Sequence, residues 1–260
     1  MLYLFIAVFC YLITLGGRTL KGNRIILCYH GISKEQRERF RLQMSKITDN
    51  ASVIDKCERK QLSRKICITF DDAFENLLEN VLPLLNELRI PAIVFAVPGN
   101  LGQSPKWNIA PDHPEYNEKT MTIEQLKSIQ NDLITIGSHT QTHPDLSKLP
   151  PDQMQWELIE SKKNLEQLID KPIDDLALPH GAYNQDVLRI AEEIGYKRVY
   201  TLEPKLGRAN QKTGAIGRFS MSPDVWPIEF YLTCCGAYCW LFPFRTAMKW
   251  IRCKIKGIAQ

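Results

Sequence analysis

Short apolar runs recur along the chain, and they limit the folds that it can adopt. The clearest of them, residues 24–29, is a continuous run without alternating polar positions. A continuous run indicates a strand that is buried on both faces, as strands are in a parallel sheet covered by helices. The predicted strands cover residues 24–29, 66–70, 91–97, 133–136, 176–178, 196–201 and 215–220.

Segments with apolar residues at helical spacing separate most of these strands. Residues 73–89 predict a helix that Pro83 kinks or divides. Thr122 is suited to cap a helix over 122–131, and Gly195 to end one over 184–194. Further helices are predicted over 152–170 and 229–256, the second with a break near Pro243, and 34–65 is expected to mix loop and helix. This alternation predicts an α/β domain of βα units around a parallel sheet or barrel.

Composition excludes some classes of protein. The 260 residues carry a formal net charge of +4, with 44% hydrophobic and 24% charged residues, which is ordinary for one large globular domain. No basic run is interleaved with aromatic residues, so we expect no nucleic-acid partner. The eight cysteines lack the Cys-x-x-Cys pairs of a structural zinc site, and free thiols in a reducing compartment are favoured. The long loop at 98–119 is of a kind that is often functional.

Two polar stretches follow predicted strands. They are Thr69-Phe70-Asp71-Asp72 and Ser138-His139-Thr140-Gln141-Thr142-His143. One carboxylate with two imidazoles is a common three-ligand set for a catalytic divalent metal, and the second carboxylate could then serve as a general base. In parallel α/β folds the active site lies at these strand ends. The pattern therefore predicts hydrolytic chemistry.

Each residue, taken alone, also allows a simpler interpretation. The two aspartates could cap a following helix, and the two histidines could be exposed polar groups on a turn. His30, after the first strand, could be a hydrogen-bonded histidine without a catalytic role. Arg218 could be a solvated charge.

Four motifs in order resemble the polysaccharide deacetylase family, whose catalytic domain is the NodB homology domain. Thr69-Phe70-Asp71-Asp72 is similar to its first motif, and His139-Thr140-Gln141-Thr142-His143 to its second. Leu178-Pro179-His180-Gly181-Ala182-Tyr183-Asn184 is similar to a third, and Leu27-Cys28-Tyr29-His30-Gly31-Ile32 to the Tyr-His segment that opens one branch of the family.

The resemblance implies a fold and a set of roles. The fold would be a distorted parallel (β/α) barrel, and the activity the removal of an N-acyl group, usually acetyl, from an amino sugar. Asp72, His139 and His143 would hold a divalent metal, most suitably Zn²⁺. Asp71 would be the general base, and the backbone N–H of His180 would bind the oxyanion.

Two departures from the family pattern shift roles to other residues. Ala177 stands where many members have an arginine that holds the base, and Arg218 is expected to supply that guanidinium from another strand. No histidine follows His180, so the catalytic acid is expected to be His30, as in the branch that opens with Tyr-His.

Near each end of the chain an apolar segment is followed by cationic residues. Residues 1–15 are almost wholly apolar, and Arg18 and Lys21 follow them. Near the C-terminus an aromatic stretch is followed by five cations, Arg245, Lys249, Arg252, Lys254 and Lys256. Such segments suit an anionic membrane surface, although each could instead pack on the domain. We expect an apolar segment over 1–20, as anchor or signal, a catalytic domain over 24–225, and an amphipathic basic helical region over 226–260.

The expected protein is a metal-dependent hydrolase that removes an N-acyl group from an amino sugar of a polysaccharide or a lipid-linked glycan. It would act at the bacterial inner membrane, with the cytoplasmic face favoured over secretion. Two alternatives stay open: a catalytically impaired glycan-binding relative, and a hydrolase of a non-sugar amide.

Overall fold

The computed structural model describes residues 2–13, 23–50, 52–53, 65–107, 113, 115–208 and 214–244. The strands are β1 (Asn23–Tyr29), β2 (Ser52–Val53), β3 (Lys65–Phe70), β4 (Ala92–Ala96), β5 (Ile134–Ser138), β6 (Asp175–Ala177), β7 (Arg198–Tyr200), β8 (Gly207–Arg208), β9 (Ala215–Ile216) and β10 (Phe219–Ser220). The α-helices are α1 (Leu2–Ile13), α2 (Arg37–Asn50), α3 (Leu77–Asn80), α4 (Leu82–Glu87), α5 (Ile123–Ile129), α6 (Pro151–Ile169), α7 (Gln185–Ile194) and α8 (Pro227–Cys234).

Eight parallel strands form a sheet that curls into a half-barrel with helices around it. Their order is β10-β1-β3-β4-β5-β6-β7-β9, while β2 pairs parallel with β3 and β8 antiparallel with β1. The predicted α/β class and distorted parallel barrel are confirmed. Because the strands are parallel, their carboxyl ends lie along one edge, and the loops that follow them meet there.

Both faces of the sheet are apolar, which explains the continuous runs in the sequence. In β1, Ile25 and Leu27 belong to the main core between sheet and helices, while Ile26 between them belongs to a smaller cluster on the other face. Phe95 and Tyr200 are also in the smaller cluster, with their ring centroids 5.4 Å apart. Arg218 lies against the same two rings, so this inner cluster borders the polar residues at the strand ends.

The predicted helix over 73–89 is divided as Pro83 suggests, but its start was wrong. Val81 separates α3 from α4, with Pro83 in the first turn of α4. Residues before α3 are not helical, because Asp72 and Ala73 have φ values of 69° and 49°, in the left-handed region. The Met121 N–H donates to the Ala73 carbonyl at 2.9 Å and fixes this turn against the loop that precedes α5.

Two other predicted elements were wrong in extent. Residues 215–220 form two short strands that pair with different neighbours, β9 with β7 and β10 with β1, with Gly217 and Arg218 between them. A Cβ at Gly217 would collide with the Glu203 carbonyl, so only glycine fits at this position. The predicted C-terminal helix is interrupted at 235–240, by turns with Gly236 at φ 73°, and not near Pro243. Residues 241–244 are helical again, and residues 245–260 lie outside the described ranges.

The N-terminal apolar segment forms α1, which packs on α8. Ala7 is fully buried, and the hydroxyls of Tyr11 and Tyr231 are 3.0 Å apart and hydrogen-bonded. Among the helices in the described ranges, none has the length and apolar character needed to cross a membrane. The cations expected to accompany this segment, Arg18 and Lys21, and those beyond residue 244 lie outside the described residues.

Candidate active site

The predicted site residues meet at the carboxyl edge of the sheet. Asp71 directly follows β3, and its N–H donates to the Tyr29 carbonyl of β1 at 2.9 Å. His139 directly follows β5, and its N–H donates to the Ala96 carbonyl of β4 at 2.8 Å. Asp71, Asp72, His139 and His143 are all buried, so neither the helix-cap nor the exposed-turn interpretation holds.

Asp72, His139 and His143 place three potential metal-ligand atoms within 4.8 Å of one another. The Asp72 Oδ1 atom is 3.6 Å from His139 Nε2 and 3.5 Å from His143 Nε2. These separations are too long for hydrogen bonds. Two atoms that each lie about 2.1 Å from one tetrahedral ion are about 3.4 Å apart, so the spacing fits a shared cation.

The imidazole rings are held in the form that binds a metal. His139 Nδ1 is 2.8 Å from the Ala177 carbonyl oxygen, which can only accept, so Nδ1 carries the proton and Nε2 keeps its lone pair. Burial lowers the pKa of His139 to about 4. Burial, and then the neighbouring side chains of His139 and His180, lower the pKa of His143 to about 2. Both rings are therefore neutral near pH 7.

Asp72 needs a cationic partner more than the other residues of the site do. Its Oδ1 is buried and has no hydrogen-bond partner among the described residues. Burial, followed by the nearby Asp71 and Glu115 charges, raises the pKa of Asp72 well above its usual value. A divalent ion would reverse this effect, because an opposite charge favours the ionised carboxylate. The residues present therefore fit a divalent metal.

Asp71 forms a two-pronged ion pair with Arg218. Arg218 Nη1 lies 2.6 Å from Asp71 Oδ1, and Nη2 lies 2.7 Å from Oδ2, with Arg218 fully buried. Burial alone would raise the pKa of Asp71, but the adjacent Arg218, with His139, brings the pKa below its usual value. The structure thus brings Arg218 to Asp71 from the segment between β9 and β10, whereas Ala177 lies in β6.

His30 lies beside Asp71. The ligand atoms of Cys28, His30 and Asp71 are within 4.8 Å of one another, and half-buried His30 lines a cavity of about 360 Å³ beside the site. The sequence pattern indicated no role for Cys28 beyond a free thiol, yet this thiol donates to Asp71 Oδ2 at 3.3 Å. The two-residue periodicity of β1, which puts Cys28 on the same face as His30, could have indicated this.

His180 and Trp107 complete the surroundings of His143. His180 is in the left-handed region at φ 57°, and its exposed ring has its centroid 5.0 Å from that of His143. The Trp107 ring stacks on that of His143 with the centroids 4.4 Å apart. Sequence reasoning missed Trp107, although it lies in the loop that was expected to be functional.

A parallel half-barrel with these buried side chains at its carboxyl edge defines the class of NodB-type deacetylases. The chain belongs to the polysaccharide deacetylase family, because the model of that family, described as "Polysaccharide deacetylase", matches residues 58–199. It is a hydrolase of that family. The family resemblance drawn from the four motifs is therefore confirmed.

Known proteins similar to the chain agree with this assignment. The Bacillus subtilis (strain 168) protein named "Putative polysaccharide deacetylase YxkH" is 28% identical over 214 residues, 77% of this chain and 72% of its own. Poly-beta-1,6-N-acetyl-D-glucosamine N-deacetylase of Staphylococcus aureus (strain MSSA476) is 28% identical over 163 residues. That alignment covers 62% of this chain and only 56% of the Staphylococcus protein.

Two solved structures share the fold. Streptococcus pyogenes deacetylase PplD, solved in complex with acetate, superposes with a TM-score of 0.68 at 22% identity, over 82% of this chain and 98% of its own. IcaB from Ammonifex degensii superposes with a TM-score of 0.68 at 20% identity, over 82% and 97%.

The metal-free protein should lose stability as the pH falls below about 6.5, the ordinary pKa of histidine. His139 and His143 stay neutral in the folded state but take up protons when unfolded. Their contribution is therefore complete above that pH and is lost as the pH falls toward the folded pKa values. Urea unfolding between pH 7.5 and 5 should show a slope of up to about 1.4 kcal/mol per pH unit for each histidine. Asp72, whose folded pKa is raised, opposes this slope with one proton against two, so the decisive comparison is between proteins. His143→Gln should remove one histidine's share of the slope, and equal slopes in wild type and variant would contradict this account.

Proposed function

We propose that the protein removes N-acetyl groups from a polymer of N-acetylated amino sugars, with β-1,6-linked N-acetylglucosamine as the first candidate. The observation that carries this proposal is the position of the Arg218-bound Asp71 beside the donor set of Asp72, His139 and His143. Support for the sugar comes from the similar Staphylococcus protein, which is named as a poly-beta-1,6-N-acetyl-D-glucosamine N-deacetylase. Support for an active enzyme comes from Arg218, because its guanidinium binds the Asp71 carboxylate, which the methyl group of Ala177 could not do.

Asp72, His139 and His143 would hold the divalent ion in this proposal. Two imidazole nitrogens and one carboxylate oxygen suit Zn²⁺, with a coordination position left for water or substrate. When bound, such an ion acidifies a water molecule and polarises the acyl carbonyl. The Ala177 carbonyl fixes the orientation of His139, and the rings of Trp107 and His180 confine His143.

Asp71 would accept the proton of the attacking water. Its low pKa keeps it ionised near pH 7, and the two-pronged contact with Arg218 fixes the direction of its free lone pairs. As the oxygen of water bonds to the acyl carbon, charge develops on the carbonyl oxygen. The backbone N–H of His180 would stabilise that charge by donating a hydrogen bond.

His30 would protonate the departing nitrogen. An amine leaves an amide readily only when it is protonated, so the C–N bond breaks as the imidazolium transfers its proton. The products are acetate and a free amino sugar. His30 lies on the cavity side of Asp71, so acid and base would act from neighbouring strands, β1 and β3.

Asp71→Asn should lower kcat for acetate release by at least about 100-fold, because a general base typically contributes that much. In the variant protein that folds, zinc content should be unchanged, since Asp71 lies outside the donor set and the Asn Oδ1 atom can still accept a hydrogen bond from Arg218. Acetate release would be measured on β-1,6- and β-1,4-linked N-acetylglucosamine oligosaccharides and on an N-acetylated peptide, with and without a chelator, and Asp152→Asn on the surface of α6 is the control.

Three outcomes would contradict the proposal. Turnover of the peptide alone would favour a non-sugar amide hydrolase. Zinc-loaded protein that releases no acetate from any sugar would favour a silent glycan-binding relative. Full activity in Asp71→Asn would remove the proposed base.

His30→Ala should depress amide turnover much more than ester turnover. The amine must be protonated to leave, whereas the phenolate of 4-methylumbelliferyl acetate leaves without an acid. We expect kcat for the sugar amide to fall about 100-fold and the ester rate to fall much less, with zinc content intact. His113→Ala is the matched control, because exposed His113 lines the same cavity. Equal losses on both substrates, or loss of zinc, would exclude His30 as the acid.

We further propose that the protein acts at an anionic membrane surface, as the bacterial inner membrane presents at its cytoplasmic face, where a lipid-linked glycan would be within reach. Support comes from aromatic and aliphatic side chains that α1 and the start of α8 leave exposed: Tyr3, Phe5, Phe9, Leu12, Ile13, Trp226, Ile228 and Tyr231. In the sequence, cations follow both apolar segments. Apolar side chains beside cations favour a helix that lies in the interface.

Replacing Phe5 and Phe9 together with Ser should weaken binding to vesicles of phosphatidylcholine mixed with phosphatidylglycerol by at least about tenfold, because each exposed ring would contribute about 1.5–3 kcal/mol when buried in lipid. Co-sedimentation measures the bound fraction. Leu42→Ser is the control, since Leu42 is 55% exposed on α2. Wild-type protein that fails to bind these vesicles, or binds phosphatidylcholine alone equally well, would contradict the proposal.

A further inference from the structure

The loop that joins the two histidines of the donor set is held in an unfavourable conformation. Thr140 and His143 have φ values of 68° and 65°. These are left-handed conformations, which β-branched and bulky residues rarely adopt. Inside the loop the His143 N–H donates to Thr140 Oγ1 at 3.1 Å, and the remaining contacts that hold these conformations come from outside the loop.

Glu157 of α6 supplies the main contact. Its side chain is buried, and its Oε2 accepts hydrogen bonds from the N–H groups of Gln141 and Thr142, at 2.8 and 2.9 Å. Its Oε1 accepts a third from the Thr142 hydroxyl at 2.5 Å. Hydrogen bonds to an ionised acceptor are roughly twice as strong as neutral ones. One carboxylate therefore binds the two residues midway between the histidines.

Two more residues on the same face of α6 extend this contact. Glu157, Ser161 and Asn164 lie at i, i+4 and i+7, so they line one side of the helix. The hydroxyls of Ser161 and Ser138 are 2.7 Å apart, and Asn164 Nδ2 donates to Gln141 Oε1 at 3.1 Å.

The other side of the loop is closed by backbone. The Gly99 N–H donates to the Gln141 carbonyl at 2.9 Å, and a Cβ at Gly99 would collide with that carbonyl. Gln141 is thus held between Gly99 and Glu157. With both sides fixed, the loop has little freedom to relax.

We infer that Glu157 is a positioning residue that sets the separation of His139 and His143 by binding the Gln141 and Thr142 N–H groups. It touches neither imidazole and acts only through the loop. Without the carboxylate, two part-buried N–H groups would lose their acceptor, and the left-handed residues would relax toward ordinary conformations. The inference rests on the proposed function insofar as the two histidines hold a metal.

The first test measures zinc affinity in folded protein by competition with a chromogenic chelator. Glu157→Ala should raise the zinc dissociation constant on the order of 10- to 100-fold, as loss of outer-shell partners does at other metal sites. Glu157→Gln, which keeps an acceptor oxygen but no charge, should give a smaller increase. Glu160→Ala, three residues further along the same helix, should match wild type. If Glu157→Ala does not fold, Glu157→Gln decides, and wild-type affinity in that variant would overturn the inference.

The second test needs no metal. Amide hydrogen exchange at Gln141 and Thr142 in the metal-free protein should be at least tenfold faster in Glu157→Gln than in wild type, while exchange in β4 stays the same. Unchanged exchange at both amides would overturn the inference. A wild-type protein that binds no zinc but shows the expected change in exchange would contradict the proposed metal site alone. Wild-type zinc binding with no effect of the Glu157 substitutions would contradict the positioning role alone.

Discussion

The ion pair between Asp71 and Arg218 is the interaction on which the rest of the site depends. It joins the end of β3 to the segment between β9 and β10, which are 147 residues apart in sequence. Both side chains are buried, and breaking such a pair costs about 3–5 kcal/mol because it leaves one charge uncompensated. The Phe95 and Tyr200 rings flank the guanidinium, so the inner face of the half-barrel and the reactive carboxylate are fixed together.

Two adjacent aspartates acquire opposite properties in this setting. Arg218 lowers the pKa of Asp71, while burial and the Asp71 charge raise the pKa of Asp72. The left-handed turn at Asp72 separates the two side chains, since it directs one toward the arginine and the other toward the histidines. Identical side chains can therefore carry different tasks, one as a base that stays ionised and one as a ligand that requires a cation.

The sequence determined the class of fold and most of the donor set. Buried apolar runs that alternate with helical segments favour a parallel sheet. Polar residues that follow such strands then gather at one edge of the sheet. Asp71, Asp72, His139 and His143 could be found because local order in the chain already places them after β3 and β5. Gly195 and Thr122 marked helix ends for the same local reason.

Tertiary structure alone decided what depends on distant contacts. At Gly217, which divides residues 215–220, the chain passes so close to the Glu203 carbonyl that a Cβ would collide with it, and no local pattern contains this contact. Three contacts join parts of the chain that are 15 or more positions apart: the hydrogen bond from Cys28 to Asp71, the stacking of Trp107 on His143 and the support of the loop by Glu157. Sequence patterns report the spacing of residues within one element, whereas these contacts depend on how the elements pack against one another.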